Sequence, residues 1–425
     1  MRSAPGLMTG QRLGIALLCL LVQTAAQAAP PEHAVVTHFP QPALSPAQLG
    51  VIVNDDDPDS VEIARYYRDK RGIPAANLIH VRFQPGRSTL GRAEFAALKQ
   101  QVDRATPAQV QAYALTWSQP YRVDCMSITS AFAFGFDATH CASDCRPTQA
   151  SPYFNSPATH PHTAHQIRPT MSLAAASVAE AKQLIDRGVA ADGSNPSGTA
   201  YLVSTTDKAR NVRAAGYAVL RAQMQPILPV EIVEANALEN KSDVMFYFTG
   251  STQVPGLDRN TFLPGAIGDH LTSAGGVLFG GSQMSSLAWL QAGATGSYGA
   301  VVEPCNFPAK FPVPALVMAH YLQGATLIEA YWKSVLMPGQ GLFIGEPLAR
   351  PFAGVAHRAR EGGLTLSARL FAPGLYDVQA APSIMGPYRS VGRIPVHWGM
   401  REIRLERVPP AYYRFERRSD PAPLR

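Results

Sequence analysis

The 425-residue sequence predicts an α/β fold, in which a mostly parallel sheet carries helices on both faces and a small antiparallel β module follows. Short apolar runs alternate with amphipathic helical segments between residues 49 and 335. Runs without polar alternation are typical of parallel strands that are buried on both faces. After residue 352 the helical period disappears, and short alternating runs indicate antiparallel strands.

The N-terminus has the pattern of a secretory signal. Arg2 and Arg12 precede an apolar run from Leu13 to Val22, and Ala26-Gln27-Ala28 supplies the small residues of a cleavage site. The sequence therefore predicts a signal peptide at residues 1–28 and a periplasmic or secreted mature protein. The run is about half the length that a spanning helix needs. No later segment is apolar for long enough, so no integral membrane segment is expected after cleavage.

The charge of the mature chain is too small to predict nucleic-acid binding. Two of the 37 basic residues, Arg2 and Arg12, leave with the signal, so 35 remain against 31 acidic residues and the formal net charge falls from +6 to +4. No run of basic residues follows. The short "GGS" and "GST" sequences lack the lysine and the spacing of a phosphate-binding loop, and no cofactor is expected.

The α/β part is predicted to cover residues 45–355, with a division into two subdomains near 170–195. It opens with a strand at 49–54, a helix with Pro58 in its first turn that ends before Gly72, and a strand over 77–83. The further predicted strands are 112–117, 199–204, 244–250, 275–280 and 298–303, and the further predicted helices are 174–187, 212–224, 286–293, 315–322 and 325–335.

The antiparallel module is predicted at residues 360–418. Its strand candidates are "LTLSARLF", "LYDVQAAP", "YRSVGRIPV", "MREIRLERV" and "AYYRFERR". Between the predicted strands of the α/β part, residues 133–168 form a long loop rich in Pro, His, Thr and Ser. Loops of that length are often functional.

Four cysteines remain after removal of the signal, namely Cys125, Cys141, Cys145 and Cys305. An even number in an oxidising compartment favours disulfides. The short spacing between Cys141 and Cys145 predicts a small closed ring. Cys125 and Cys305 are then left either paired with each other or free.

A zinc site is the alternative use of this region, because His160, His162 and His165 follow the Cys141 and Cys145 loop and both residue types bind zinc. These histidines lie among prolines and threonines, with no predicted helix or strand to fix their geometry. No metal is therefore expected, and zinc stays the alternative.

Polar residues at predicted strand ends are the candidates for ligand binding, because parallel sheets bind ligands at the carboxyl ends of their strands. Asp55 and Asp56 follow the first strand, where they would suit a hard cation or simply complement a helix dipole. In "TTDKARNVRA", Asp207 stands together with Lys208, Arg210 and Arg213, and this group would hold an acidic substrate at a helix start or form an exposed, salt-bridged helix start.

Several segments in order resemble an uncharacterised family of exported bacterial proteins that occurs in genomes with the PEP-CTERM/exosortase sorting system. The segments are "VIVNDDDPDSVEIARYYRDKRGIPAANLIHVRF", "SITSAFAFGFD", "IDRGVAADGSNP", "TTDKARNVRA", "WLQAGATGSYGAVVEPC" and "GEPLARPF". The resemblance covers about residues 45–355 and implies no established activity. The final residues, "RRSDPAPLR", lack the apolar tail of a sorting signal.

A more distant resemblance concerns gingipain-type, caspase-like cysteine peptidases. It rests on "GATGSYGAVV" after a helix, two paired helices and then "GLFIGEPL". Those peptidases carry His-Gly at the end of one strand and Cys at the end of the next, because the imidazole helps to form and orient the thiolate. Here the expected strand ends are "YFTGST" and "LFGGSQ", which contain neither residue. The resemblance therefore implies a caspase-like fold without the peptidase dyad.

Two functional hypotheses follow. The first is a non-peptidase binding or accessory protein in surface or extracellular-polymer assembly, with a cell-envelope polymer or protein as its partner. The second is a hydrolase that uses Cys305 beside Glu303, or a strand-end serine such as Ser251. Its base would be His270 or His320, although both histidines lie in helix-like apolar patterns. We favour the first hypothesis because the dyad is missing, and we leave open whether the chain is an enzyme.

Overall fold

The structure is a computed structural model. It describes residues 35–38, 43–142, 145–225, 227–353, 356–360, 363–367, 374–382, 386–397, 400, 402–406 and 412–418. The predicted signal peptide at residues 1–28 lies outside the described residues. Within the described ranges, no helix combines the length and the apolar character that a membrane crossing requires.

The helices and strands of the described residues are numbered in chain order. The α-helices are α1 (Pro58–Arg71), α2 (Arg92–Ala105), α3 (Ile128–Phe134), α4 (Pro161–His165), α5 (Val178–Ala191), α6 (Tyr217–Met224), α7 (Leu287–Gln291), α8 (Pro314–Leu322) and α9 (Leu327–Trp332). Short 3-10 helices cover Pro46–Gln48, Ala75–Asn77, Ala138–His140, Asn211–Gly216, Leu257–Arg259, Pro308–Lys310 and Pro338–Gln340. The strands are β1 (Val35–His38), β2 (Leu49–Asn54), β3 (Leu78–Val81), β4 (Thr89–Leu90), β5 (Ala112–Leu115), β6 (Arg122–Val123), β7 (Met126–Ser127), β8 (Thr170–Ser172), β9 (Thr199–Ser204), β10 (Val230–Glu234), β11 (Val244–Gly250), β12 (Phe262–Leu271), β13 (Gly296–Ala300), β14 (Gly341–Gly345), β15 (Ala356–Arg360), β16 (Gly363–Ser367), β17 (Gly374–Ala381), β18 (Arg389–Val396), β19 (Glu402–Glu406) and β20 (Tyr412–Arg417).

Ten strands form the main sheet, in the order β10-β9-β11-β12-β13-β14-β8-β5-β2-β3. Every neighbouring pair is parallel except β13 and β14, which run antiparallel. The predicted mostly parallel sheet is thus confirmed. It consists of a first half-sheet (β2, β3, β5, β8 and β14) and a second half-sheet (β9 to β13), whose carboxyl ends lie at opposite edges because the two halves meet antiparallel.

The seam between the half-sheets pairs Gly296 with Gly345 at one end and Ala300 with Gly341 at the other. Gly341 has no room for a side chain, because a methyl group there would overlap the hydroxyl of Tyr298. That hydroxyl donates to the carbonyl oxygen of Lys310 at 2.6 Å and is fixed in place. The glycines of "GATGSYGAVV" and "GLFIGEPL" therefore allow two strands and their cover to pack closely.

Helices cover both faces of the sheet, as the sequence predicts. In the first half-sheet, α1 and α5 pack on one face through side chains such as Tyr67 and Ile185. On the other face, α2 and α3 pack through side chains such as Phe95 and Phe132. In the second half-sheet, α6, α8 and α9 share the face of α1, and α7 places Trp289 on the opposite face. The α/β architecture is therefore a three-layer one.

The C-terminal part is antiparallel throughout its described strands. One sheet has the order β1-β20-β17-β18 and the other the order β15-β16-β19. Their common core contains Leu366, Tyr376, Val378 and Phe415. The predicted antiparallel module is confirmed, and β1 extends it, because Val35 lies opposite Phe415. The domain boundaries, 45–355 and 360–418, remain predictions.

The predicted strand at 275–280 is wrong, because a turn covers residues 273–276 and the strand beside β11 is β12. This strand escaped prediction because Pro264 and Gly268 are residue types that strands usually exclude. Pro264 lies where the register with β11 shifts. Gly268 is required because a methyl group there would overlap the ring of Trp289. The sequence patterns also do not predict the strands β1, β4, β6, β7, β8, β10 and β14 or the helices α2, α3 and α4, and α4 lies in the segment 133–168 that was expected to be a loop.

Candidate functional site

The carboxyl ends of the second half-sheet form the candidate site. We call it the strand-end rim and define it as residues 204–213 after β9, 249–253 after β11 and 270–284 after β12. The two later segments touch, because the amide of Met284 donates to the carbonyl oxygen of Thr252 at 2.8 Å. Carboxyl ends of parallel strands are the usual place for a ligand in such sheets.

The loop after β9 is folded directly onto the end of β11. Thr205 Oγ1 donates to the carbonyl oxygen of Gly250 at 2.6 Å. The backbone carbonyl of Asp207 accepts from the amide of Arg210 at 3.0 Å and turns the chain. A methyl group at Gly250 would overlap the carbonyl oxygen of Arg210. Position 250 therefore cannot carry an imidazole without displacement of the loop.

A polar chain of contacts then crosses the rim from β9 to β12. Arg210 Nη1 lies 3.1 Å from Asp207 Oδ2, and Arg210 Nε donates to Thr272 Oγ1 at 3.2 Å. Thr272 Oγ1 donates in turn to Gln283 Oε1 at 2.8 Å. Two of the four predicted ligand-binding residues, Asp207 and Arg210, thus lie in the rim and form an ion pair with each other.

At the end of the first rim segment, Arg213 forms a buried ion pair with Asp269, a carboxylate that the sequence patterns did not single out. Arg213 Nη1 lies 2.5 Å from Asp269 Oδ1, and both side chains are almost fully buried. Arg213 Nη2 also donates to the carbonyl oxygen of Thr249 at 2.5 Å. Burial raises the pKa of Asp269, and the guanidinium of Arg213 opposes that shift. The sequence signal that could have found Asp269 is a carboxylate within the otherwise uncharged stretch from Phe262 to Leu271.

His270 has both ring nitrogens occupied. The indole Nε1 of Trp289 donates to His270 Nδ1 at 2.9 Å, and His270 Nε2 donates to the carbonyl oxygen of Met284 at 3.0 Å. Burial lowers the pKa of His270 to about 4. The ring lies on β12, not in the helix-like pattern that the sequence suggested. It fixes the 284–289 segment against the strand and has no nitrogen available to act as a base.

The predicted bridge between Cys141 and Cys145 is wrong. Cys125 pairs with Cys141, with Cα atoms 5.8 Å apart, and Cys145 pairs with Cys305, with Cα atoms 5.4 Å apart. Cys305 is therefore half of a disulfide, as one alternative had it, but its partner is Cys145 and not the expected Cys125.

The short spacing between Cys141 and Cys145 gave a wrong prediction because the loop that carries these cysteines lies between two separate elements. Cys125 lies in the turn between β6 and β7, whereas Cys305 lies in the segment after β13. Gln340 Nε2 donates to the carbonyl oxygens of Ala142 at 3.4 Å and Glu303 at 3.1 Å, and so links the loop to that segment. Each cysteine of the loop thus meets a different partner across the fold.

The other weak catalytic candidates also have structural partners. Ser251 Oγ donates to the carbonyl oxygen of Gln253 at 2.7 Å and shapes the turn after β11. Glu303 Oε1 accepts from the backbone amide of Cys305 at 2.6 Å. His320, on α8, has its Nε2 3.1 Å from Asn155 Oδ1, and burial lowers its pKa to about 4. The structure does not bring these side chains together into a catalytic set.

Asp55 and Asp56 lie at the opposite edge of the sheet, at the carboxyl end of β2. Asp55 Oδ1 lies 2.7 Å from His80 Nδ1, and Asp56 Oδ1 lies 2.7 Å from Arg82 Nη1. The antiparallel seam between β13 and β14 places this edge opposite the strand-end rim. These carboxylates therefore cannot share a site with Asp207 and are engaged with basic side chains.

The three loop histidines have separate surroundings. His165 Nε2 lies 2.8 Å from Ser156 Oγ, and His160 Nδ1 lies 3.1 Å from Thr159 Oγ1. His162 lies between them on α4. In the described part of the chain, no group of three or more His, Cys, Asp or Glu residues is placed to hold a metal ion.

Comparison with known proteins gives limited structural likeness. No family model matches the chain. No curated protein matches it. The solved complex of Porphyromonas gingivalis RgpB pro- and mature domains is similar at a TM-score of 0.42 and 10% identity, over 87% of this chain and 93% of that chain. A structure described as a protease is similar at a TM-score of 0.39 and 12% identity, over 89% of this chain and 98% of that chain.

The buried pair predicts a strong asymmetry between two substitutions. Asp269→Asn leaves the Arg213 charge buried without its partner and should lower the free energy of unfolding by about 3 kcal/mol in urea titrations. The matched control, Asp207→Asn, breaks a partly exposed pair and should cost less than about 1 kcal/mol. Equal losses in the two variants would contradict the assignment. The double variant Arg213→Met with Asp269→Leu should recover most of the loss.

His270 predicts a pH dependence. Its folded pKa of about 4 lies below the ordinary value of 6.5, so the folded state binds fewer protons. The stability contribution is complete above pH 6.5 and is lost as the pH falls towards 4, by at most about 1.4 kcal/mol per pH unit for one group. Chemical unfolding at several pH values should therefore show a shallower acid slope for His270→Gln than for the wild type. An unchanged slope would exclude this role.

Proposed function

We propose that this chain is an exported binding or accessory protein, not a peptidase, and that its strand-end rim holds a polar segment of a cell-envelope or extracellular polymer. The observation that carries the proposal is the state of His270, whose two nitrogens are used by Trp289 and Met284. The base nearest the strand ends is thus a structural residue. Both cysteine and serine nucleophiles depend on such a base for activation.

The candidate nucleophiles of a peptidase mechanism are also occupied by structural contacts. Cys305 is closed in a disulfide with Cys145, and the hydroxyl of Ser251 is directed at a backbone carbonyl. Gly250, where a peptidase of the resembled type would carry its histidine, is covered by the loop at Arg210. Catalysis would require several of these contacts to break together, whereas binding requires none of them to break.

The chemistry of the rim favours a polar ligand without strong net charge. The solvent-facing side chains are mostly hydroxyls and amides, among them Thr206, Gln253 and Ser282, and they are joined by one exposed cation, Lys208. The charges of Asp207 and Arg210 offset each other. Phe279 is 38% exposed in the loop after β12 and offers an apolar face beside these groups. A glycan presents this combination of hydroxyls and apolar ring faces, so we favour a polysaccharide over a protein partner.

Export is part of the proposal. Two disulfides within one chain are typical of an oxidising compartment. The predicted signal peptide at residues 1–28 agrees with that compartment. A role in polymer assembly at the cell surface follows from the family resemblance of the sequence and remains a proposal.

Co-sedimentation tests the binding function. The mature protein should sediment with peptidoglycan sacculi or with an insoluble neutral glucan such as cellulose. The double variant Gln253→Ala with Phe279→Ala should raise the Kd at least tenfold, which corresponds to about 1.4 kcal/mol. The matched control is His80→Ala with Arg82→Ala, two exposed side chains at the opposite edge, and it should change the Kd less than about twofold.

Two outcomes would count against the proposal. One is a wild-type protein that sediments with neither polymer, or rim and control variants that bind equally well. The other is hydrolysis of an unfolded protein substrate such as casein that disappears in Ser251→Ala, since this would assign the rim to the hydrolase hypothesis.

A further inference from the structure

The two disulfides differ in their surroundings. Cys141 packs against the core cluster on the α2 face of the sheet, and its partner Cys125 is half-buried in a tight turn. Cys145 is exposed, and Cys305 is half-buried. Thiol attack on a disulfide depends on access to one of its sulfur atoms. The Cys145 sulfur belongs to the residue that an external thiol reaches with least obstruction.

We propose that the Cys145–Cys305 bridge is a thiol-exchange site, which an external dithiol opens reversibly while the Cys125–Cys141 bridge stays closed. The substrate class is a dithiol, either a small molecule or a protein with two neighbouring cysteines. This inference does not depend on what the rim binds.

The exchange is balanced in two steps. One thiolate of the dithiol attacks Cys145 Sγ, the bond between the two cysteine sulfurs breaks, and Cys305 leaves as a thiolate that takes up a proton. The second thiol of the donor, as a thiolate, then attacks the donor sulfur that is bonded to Cys145. This step closes the donor's disulfide and releases Cys145 as a thiolate, which also takes up a proton. Two electrons and two protons pass to the chain, and the donor becomes a disulfide.

The backbone at Cys305 favours opening. Its φ of 58° lies in the left-handed region, which residues other than glycine adopt at a cost. The bridge and the hydrogen bond from its amide to Glu303 hold it there. Release of the sulfur therefore lets the segment around Cys305 relax.

Other contacts keep the opened ends close together, which makes the exchange reversible. Before the bridge, the amide of Val301 donates to the carbonyl oxygen of Gln340 at 2.9 Å. After it, the amide of Met337 donates to the carbonyl oxygen of Ala309 at 2.9 Å. Gln340 Nε2 spans the loop and the segment through Ala142 and Glu303. The structural change that follows opening of the bridge should thus be confined to residues 302–308 and to the loop that carries Cys145.

This confined segment adjoins the rim. The amide of Gly276, in the loop after β12, donates to the carbonyl oxygen of Ala300 at 2.8 Å, directly before the segment. Opening of the bridge would therefore change the chain two residues beyond this contact and leave the sheet intact.

Stepwise reduction of the oxidised mature protein, which lacks Cys19, tests the proposal. The protein is titrated with dithiothreitol, quenched with a labelled maleimide and mapped by mass spectrometry, while near-UV circular dichroism follows the fold. Cys145 and Cys305 should become labelled at a dithiothreitol concentration at least tenfold lower than Cys125 and Cys141, with the dichroism unchanged. Labelling of all four together, labelling of Cys125 and Cys141 first, or labelling only as the dichroism is lost would each overturn the proposal.

Two variants separate exchange from general unfolding. Cys125→Ser with Cys141→Ser retains only the exposed bridge, and its labelling midpoint should match that of Cys145 and Cys305 in the wild type. Cys145→Ser with Cys305→Ser retains only the packed bridge, which should resist reduction as it does in the wild type. If the first variant does not fold, the second variant alone decides, because early labelling in it would overturn the proposal.

Discussion

The antiparallel seam between β13 and β14 holds the two halves of the α/β structure together and sets their directions. Five residue pairs, from Gly296–Gly345 to Ala300–Gly341, join two sets of parallel strands that run in opposite directions. Because the seam reverses the strand direction, polar residues that all follow strands in the sequence separate to two edges. Asp207 and Ser251 lie at one edge, and Asp55 lies at the other. The seam thus decides which side chains can share a site.

The buried carboxylate of Glu346, directly after β14, anchors the end of the seam. Tyr67 Oη donates to Glu346 Oε1 at 2.6 Å, and Arg71 Nε donates to the same oxygen at 3.1 Å. Arg71 also forms an ion pair with Asp192 after α5. Burial raises the pKa of Glu346, and the charge of Arg71 opposes it. Glu346 thereby ties α1 to the end of β14, and Arg71 extends the connection to Asp192 after α5, which gives "GEPLARPF" a structural purpose.

The same physical logic accounts for the rim. Asp269 and Arg213 are buried together, and His270 is fixed by Trp289, so the charged and titratable groups nearest the strand ends hold the structure together. The side chains left facing solvent are mostly hydroxyls and amides, together with Phe279 and the exposed Lys208. These groups are the basis on which we propose that the rim binds a polar polymer. Cys305 is likewise closed in a disulfide with Cys145, so in the oxidised protein it is not a thiol nucleophile.

Local patterns in the sequence were sufficient for most of the fold and for little of the site. The helix α1 could be predicted because Pro58 starts it and Gly72 ends it, and β2, β9 and β11 because their apolar runs are buried on both faces. The strand β12 could not, since Pro264 and Gly268 make sense only beside the strand β11 and the ring of Trp289. In the same way, "GGVLFG" has strand-like residues but crosses the end of β13. The prediction of the disulfide pairing failed for a related reason, because Cys141 and Cys145 form bridges with cysteines from other parts of the chain.

The groups that a cysteine peptidase would use are committed to structure in this protein, and non-reducing peptide mapping of the mature chain is the decisive test of that conclusion. The protein should be alkylated before digestion, so that any free thiol is labelled, and the linked peptides identified by mass spectrometry. We expect links from Cys125 to Cys141 and from Cys145 to Cys305, with no labelled Cys305. A Cys141–Cys145 link together with an alkylated Cys305 would refute the conclusion and would restore Cys305 as a candidate nucleophile.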